Sequence, residues 1–434
     1  MTLSQLALLF TAKTDLRPSK TNLSFFVVCV ILALIHQLPL FTPSTHIGGS
    51  YDRRYEAVAE AFRRNFYEGR EREGASLAVY HKGQLVVNLW GGYADRESDR
   101  NWQRDTTTMV YSATKAVASL CIAMQVDRGL LSYSDLVIKH WPEYGQNGKE
   151  NTTVEDILTH QAGLPIIDET ITLADAKDSK RMAQILERAR PIWTPGEKSG
   201  YHAITFGWLV DALMRKVDPK QRGVKQFVAE EISRPYGIDF DIGVSQDQIH
   251  KIARMTLPGF MEHIKETLID LRFLGMFAIF YLRPPNSIVQ KIYENPSWAD
   301  IRAFNSPELQ QLDLPSVTGV SNAQNFAKIF ALASNGTLLS NLTFELLKTP
   351  TIDYWHIDEV VLYPLVKGYG FFYEKHPTIV GKWLIGHYGY GGQSILVDPE
   401  HQLVVAYVSN GLKLGTGELC GTYQRIQRSL YSIL

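Results

Sequence analysis

Cysteine is scarce: Cys29, Cys121 and Cys420 are the three in 434 residues, and no two share a C-x-x-C spacing. This excludes a disulfide-stapled scaffold. A Cys121–Cys420 bond and a pair of inert buried thiols both stay open. An excess of charge of one sign is lacking as well. With 44 basic against 45 acidic residues, the net charge is -1, so no overall field favours nucleic acid or an anionic membrane. The histidines show no metal-ligand spacing, and neither a metal nor a cofactor is expected. Internal repeats and low-complexity tracts are missing too. What remains is 45% hydrophobic and 21% charged, the composition of a globular protein with one large or two ordinary domains.

The one long apolar run is N-terminal. Residues 25–35 are uninterrupted by polar groups, are extended by Leu38, Leu40 and Phe41, and follow Lys13, Arg17 and Lys20. Eleven residues suit the core of a signal peptide, whereas 23–41 is long enough for a signal-anchor and membrane attachment. No clean small-x-small cleavage site is present, and a buried helix or a mitochondrial presequence are the alternatives. The charge bias places the body in a lumen or outside the cell, in the secretory pathway, anchored or secreted. The sequons at Asn151, Asn335 and Asn341 agree with that route. Residues 1–50 are thus assigned to a targeting segment and linker, and 51–434 to the body.

Along the body, residues 51–73 alternate charge and apolar side chains at helical spacing, predicting a first helix. Residues 75–80 and 84–90 around Lys82-Gly83 predict a hairpin ended by Gly91-Gly92. Residues 130–330 read mainly as helices and long loops. Within them an amphipathic stretch, 260–272, is followed by apolar 273–282, which fits a hydrophobic lid, a membrane-touching flap or a buried core helix. Strand periodicity returns at 369–373, 383–386, 394–397 and 403–408, and 421–434 predicts a closing helix. The fold class is α+β: an antiparallel sheet flanked by terminal helices, beside a mostly helical subdomain.

Chemistry centres on Val110-Tyr111-Ser112-Ala113-Thr114-Lys115. Read as a helix start, it puts Ser112 and Lys115 on one face, three residues apart. A serine alcohol needs a base within reach, and a desolvated lysine can be that base. Gly200-Tyr201-His202-Ala203 follows a Pro-Gly turn, and a loop tyrosine can relay a proton if lysine charge favours its phenolate or a shared hydrogen bond. In Gly386-His387-Tyr388-Gly389-Tyr390-Gly391-Gly392-Gln393 the glycines allow close backbone approach to a ligand, and an amide there could pair with that of Ser112 as an oxyanion hole. His160 is expected to brace a loop; His202 is a pocket neighbour.

These segments, with Leu158-Thr159-His160-Gln161-Ala162-Gly163-Leu164-Pro165 and Gly319-Val320-Ser321-Asn322-Ala323, resemble the serine β-lactamase and penicillin-binding-protein superfamily. The branch is that of β-lactamase-related esterases and eukaryotic β-lactamase domain-containing proteins. The resemblance implies a β-lactamase/transpeptidase-like fold. It also implies Ser112 as acylated nucleophile, Lys115 as base, Tyr201 as proton relay, His387 at the position of the family's Lys-Thr-Gly lysine, and an oxyanion hole at Ser112, Gly389 and Tyr390. Ala203 stands where lactam-hydrolysing members often carry asparagine, and His387 replaces a lysine that helps hold the substrate carboxylate. Both departures point to a small-molecule carboxylic ester, or an amide, as substrate. A membrane-tethered scaffold with little turnover, a D-amino-acid peptidase and a β-lactamase are the competing expectations.

Overall fold

The computed structural model describes residues 45–281, 286–353 and 355–434. The apolar run and the 23–41 span lie outside them. Strands β1 (Ile47–Tyr51), β2 (Gly74–His81), β3 (Gln84–Asp95) and β4 (Arg100–Asn101) come from the N-terminal half. Strands β8 (Lys367–Gly368), β9 (Phe371–Lys375), β10 (Trp383–Gly389), β11 (Gln393–Asp398) and β12 (Leu403–Ser409) come from the C-terminal end. They form one antiparallel sheet in the order β1-β3-β2-β12-β11-β10-β9-β8, with β4 on β3. The two halves are joined by β2 against β12, where Leu77 faces Tyr407 and Val79 faces Val405.

Alternation along β2 sorts its side chains between two cores. Leu77 and Val79 pack under helices α1 (Glu56–Tyr67) and α7 (Gly421–Tyr431), with Val58, Phe62, Ile426 and Leu430. Ala78 and Tyr80 face a larger core that includes α2 (Thr114–Asp127), α3 (Thr205–Val217) and α6 (Ala323–Ser334). Each fully buried Phe or Leu in these layers contributes roughly 1.5–3 kcal/mol, so Phe62 and Leu430 are what fix the terminal helices to the sheet.

Several expected boundaries move. The first helix starts at Glu56, because Ile47–Tyr51 is an edge strand paired to β3; the body thus begins before residue 51. Strand β3 runs through Gly91-Gly92, where side chains would collide with His46 O and Glu73 O, so these glycines serve close packing inside the strand. Residues 369–370 are the turn between β8 and β9, with Tyr369 and Gly370 both at positive φ. The helical subdomain also holds two strands, β6 (Phe240–Ile242) and β7 (Gly319–Ser321), which form a three-stranded sheet with β5 (Thr108–Met109).

Residues 260–281 form two ten-residue helices, α4 (Phe260–Ile269) and α5 (Arg272–Tyr281). The buried-helix alternative fails for α4, none of whose residues is buried. No helix among the described residues is long and apolar enough to cross a membrane. Cys121 and Cys420 are both free and buried, one in each core, so the possible bond between them is absent.

Candidate active site

The nucleophile turn is held from three directions. Ser112 lies in a single 3-10 turn, Tyr111–Ala113, directly before α2 and in the positive field of that helix N-terminus. Tyr111 takes a positive φ of 47°, uncommon for a non-glycine residue. Its hydroxyl donates to Met255 Sδ at 3.0 Å. From the small sheet, Val110 N donates to Gly319 O at 2.8 Å and Gly319 N to Thr114 Oγ1 at 2.9 Å. From the large sheet, Gly389 presses against the turn so closely that a Cβ would stand 2.1 Å from Val110 O. The close approach expected of this glycine-rich segment is therefore to the nucleophile turn itself.

Ser112 is half-buried, whereas Lys115 is fully buried. Lys115 Nζ lies 3.2 Å from Ser112 Oγ, 2.8 Å from Ala203 O and 3.0 Å from Ser316 O. A neutral amine has two N–H donors and one lone pair. Two donors on two carbonyls leave the lone pair for the serine proton. Burial pushes the Lys115 ammonium well below the usual lysine range, and no carboxylate is among the groups that act on it.

Tyr201 brings its ring to 4.9 Å from Lys115 Nζ. Burial raises its pKa, against an opposing hydrogen bond with Ser112, so the phenol stays protonated. Of the two alternatives read from sequence, a lysine-favoured phenolate or a shared hydrogen bond, the structure has the hydrogen bond, to Ser112. The Tyr201 loop is braced by the Thr159–Pro165 motif. Gly200 N donates to His160 O at 3.0 Å, and His202 N to His160 Nδ1 at 3.1 Å. His202 donates from Nδ1 to Gly200 O at 2.6 Å and accepts from Leu164 N at 2.9 Å, which makes it a neutral structural group. His160 thus braces a loop, as expected.

His387 is buried, stacks on Phe372 at 4.1 Å and lies 6.3 Å from the Tyr201 ring. Its Nδ1 hydrogen goes to Tyr388 O at 2.7 Å, which leaves Nε2 as an acceptor with no partner among the described residues. Burial and the nearby Lys115 push its pKa down to about 3. A neutral imidazole cannot supply the charge of the lysine it replaces. Tyr390, 41% exposed, follows Gly389 in the β10–β11 turn, 6.0 Å ring to ring from Tyr111. Tyr390 thus directly follows the residue that presses on the Ser112 turn.

Four groups here escaped sequence reasoning. Ser316 supplies a carbonyl to Lys115, and its hydroxyl donates to Ile204 O at 2.8 Å. Asp358 accepts Tyr201 N–H at 3.0 Å and the N–H groups of Val360 and Val361 at 2.9 and 3.0 Å. Its other oxygen is paired with the buried Lys367, which also donates to Ser199 Oγ at 2.6 Å. Loop carbonyls and long-range ion pairs carry no spacing signal. The one cue was a charged residue in the short strand β8, Lys367, set between Val366 and Gly368.

The β-lactamase family model matches residues 62–427. The chain belongs to the β-lactamase family. The esterase/β-lactamase LipL of Mycobacterium tuberculosis is 32% identical over 378 residues, 84% of this chain and 83% of that protein. A family VIII carboxylesterase superposes with a TM-score of 0.77 at 26% identity, covering 90% of this chain and all of the other. A penicillin-binding-protein homologue from Caulobacter crescentus gives 0.74 at 27%, with the same coverage. The α+β, transpeptidase-like architecture is that of these neighbours, and the family member in hand is a carboxylesterase-like serine hydrolase.

Proposed function

We propose that the chain hydrolyses carboxylic esters of small molecules through an acyl-enzyme on Ser112. The observation that carries this reading is Lys115, buried without a countercharge, with two carbonyls on its N–H groups and Ser112 Oγ at 3.2 Å. Neutral Lys115 takes the Ser112 proton as Oγ bonds to the substrate carbonyl carbon. The resulting oxyanion rests on the Ser112 and Tyr390 amides. The Tyr201 hydroxyl then gives its proton to the departing alkoxide and regains one from the Lys115 ammonium. Water, deprotonated by the same lysine, attacks the acyl carbon, and the Lys115 ammonium returns that proton to Ser112 Oγ as the acid leaves. The relatives' names support esters as the substrate class. Neutral His387 gives a β-lactam or D-peptide carboxylate no cationic anchor here, and the short Ala203 side chain offers the substrate amide no hydrogen bond, which sets the peptidase and lactamase readings below the esterase.

The test is labelling of the full chain by an active-site serine phosphonate, then a panel of short-chain esters, a D-Ala-D-Ala peptide and a chromogenic lactam. Labelling and ester turnover that vanish in Ser112→Ala are the expected result; a folded protein that neither labels nor turns over any ester refutes the reading. We also propose passage through the secretory pathway. All three sequon asparagines are exposed, which supports it, and a product of that pathway with no glycosidase mobility shift would count against it.

A further inference from the structure

Helices α4 and α5 and the residues that join them carry a concentration of exposed apolar side chains. Phe260 is 73% exposed, Leu268 75%, Ile269 62%, Leu271 67% and Leu274 56%. Scattered exposed leucines are ordinary; a cluster on one helix pair marks an interaction surface. The pair is fixed to the body from its other side. Phe273 is buried, Glu266 Oε2 accepts Leu414 N at 3.1 Å, and Arg272 Nη1 meets Glu418 at 3.1 Å.

Those anchors lie beside the active site. Leu412, two residues before Leu414, packs on Gly391, so closely that a Cβ there would be 2.5 Å away, and Gly391 follows Tyr390 of the oxyanion site. Glu418 also accepts the hydroxyl of Tyr363. Tyr363 belongs to the loop that supplies Asp358 to Tyr201 and exposes Ile357 and Leu362, 59% and 50%. Apolar groups therefore border the site on two elements joined through Glu418.

The chain outside the described residues narrows what covers this rim. The apolar run 25–35 stops ten residues before the described body begins at residue 45, a reach of at most about 35 Å. His46 O accepts Gly92 N at 3.0 Å, and Glu73, whose carbonyl accepts the next amide, packs its side chain against Gly411, the neighbour of Leu412. His46, where the described chain enters the large sheet, is thus linked through Gly92 and Glu73 to the loop on which α4 is anchored. Helices of ten residues are too short to span a bilayer, and an apolar face flanked by charge suits its interface.

We propose that the rim formed by α4, α5 and the Asp358 loop docks on a lipid bilayer surface, and that Ser112 takes its acyl esters from that surface. The inference rests on the ester-hydrolase reading for its substrate and on the exposed rim for its partner. The full chain carrying Leu271→Cys and Cys29→Ser, labelled with an environment-sensitive dye and mixed with phosphatidylcholine–phosphatidylserine vesicles, reads the docking directly. A blue shift that appears with vesicles is expected. Emission that stays aqueous overturns the proposal, as does emission already apolar before vesicles are added, which would mean that another part of the chain or a second copy covers the rim.

Activity gives the second readout. Leu268→Asp with Leu274→Asp is expected to lower hydrolysis of a long-chain ester held in the vesicles by about tenfold or more, with turnover of a soluble short-chain ester within about twofold. Equal loss on both substrates, or on neither, overturns the proposal. An unsubstituted protein that turns over no soluble ester defeats the ester reading, and the dye shift still decides the docking.

Discussion

Two buried lysines lie on either side of Tyr201 and do different work. Lys115 has two carbonyls and a serine hydroxyl around it and no carboxylate. Lys367 has Asp358, and through it the Tyr201 backbone. Burial lowers both ammonium groups, but the Asp358 carboxylate opposes the shift at Lys367. Desolvation without a countercharge makes a base; desolvation with one makes a scaffold. Tyr201 thus meets Lys115 at its ring and Asp358 at its backbone.

Replacing each lysine tests that division. Lys115→Met is expected to lower kcat on a soluble ester by about 10³-fold, while stability falls by no more than about 1–2 kcal/mol, the cost of two carbonyls left without their donor. Steady-state kinetics and chemical denaturation together check it. Lys115→Arg should be as inactive, because a guanidinium does not give up its proton. If Lys367→Met instead shows the same signature, a stable fold with lost turnover, the distinction between the two sites fails.

Asp358→Ala comes next in size. It strands a buried ammonium and removes the acceptor of Tyr201 N–H, so a loss of about 3–5 kcal/mol in unfolding free energy is expected. Adding Lys367→Met should recover most of the stability but not the turnover. Recovery of both would show that Asp358 does not position Tyr201.

Gly389→Ala acts on the Lys115 side alone. The new methyl collides with Val110 O and displaces the nucleophile turn, and a fall in kcat of about 10²-fold with the fold retained is expected. Labelling by the phosphonate should slow in parallel. An alanine variant with full activity would mean that the turn tolerates the shift.

A further expected effect is in pH dependence. His202 and His387 are held neutral by burial down to about 3, while in the unfolded chain they protonate near 6.5. The unfolded state therefore binds more protons as pH falls below about 6.5, and stability declines by about 1.4 kcal/mol per pH unit for each group. Denaturant titrations between pH 7 and 5 check the slope, which His387→Phe should reduce by one group. The kcat/KM profile, in contrast, should show no histidine inflection near 6.5, and its basic form should persist well below the ordinary lysine range because the base is the depressed Lys115.

Much of this fold was legible before the structure. The hairpin at Lys82-Gly83, the four C-terminal strands and the terminal helices follow from periods of two and of 3.6, which are local properties. Gly91-Gly92 misled because glycine marks both a strand end and a tight crossing, and only the neighbours His46 and Glu73 tell the two apart. Strand β1 was hidden by its length and by its two glycines, and it exists because β3 offers an edge.

Sequence alone determined that Ser112 and Lys115 share one face, since helical geometry over three residues needs no other part of the chain. It also determined the order of the family's motifs, the amphipathic character of residues 260–272 and the apolar character of residues 273–282. Tertiary structure decided the rest. The lowered pKa of Lys115 depends on its burial and its orientation on carbonyls 88 and 201 residues away, the neutrality of His387 on the layers that bury it, and the exposure of α4 on how the described residues pack around it. Each of these is a matter of what surrounds a side chain, which the chain fixes only when distant segments meet.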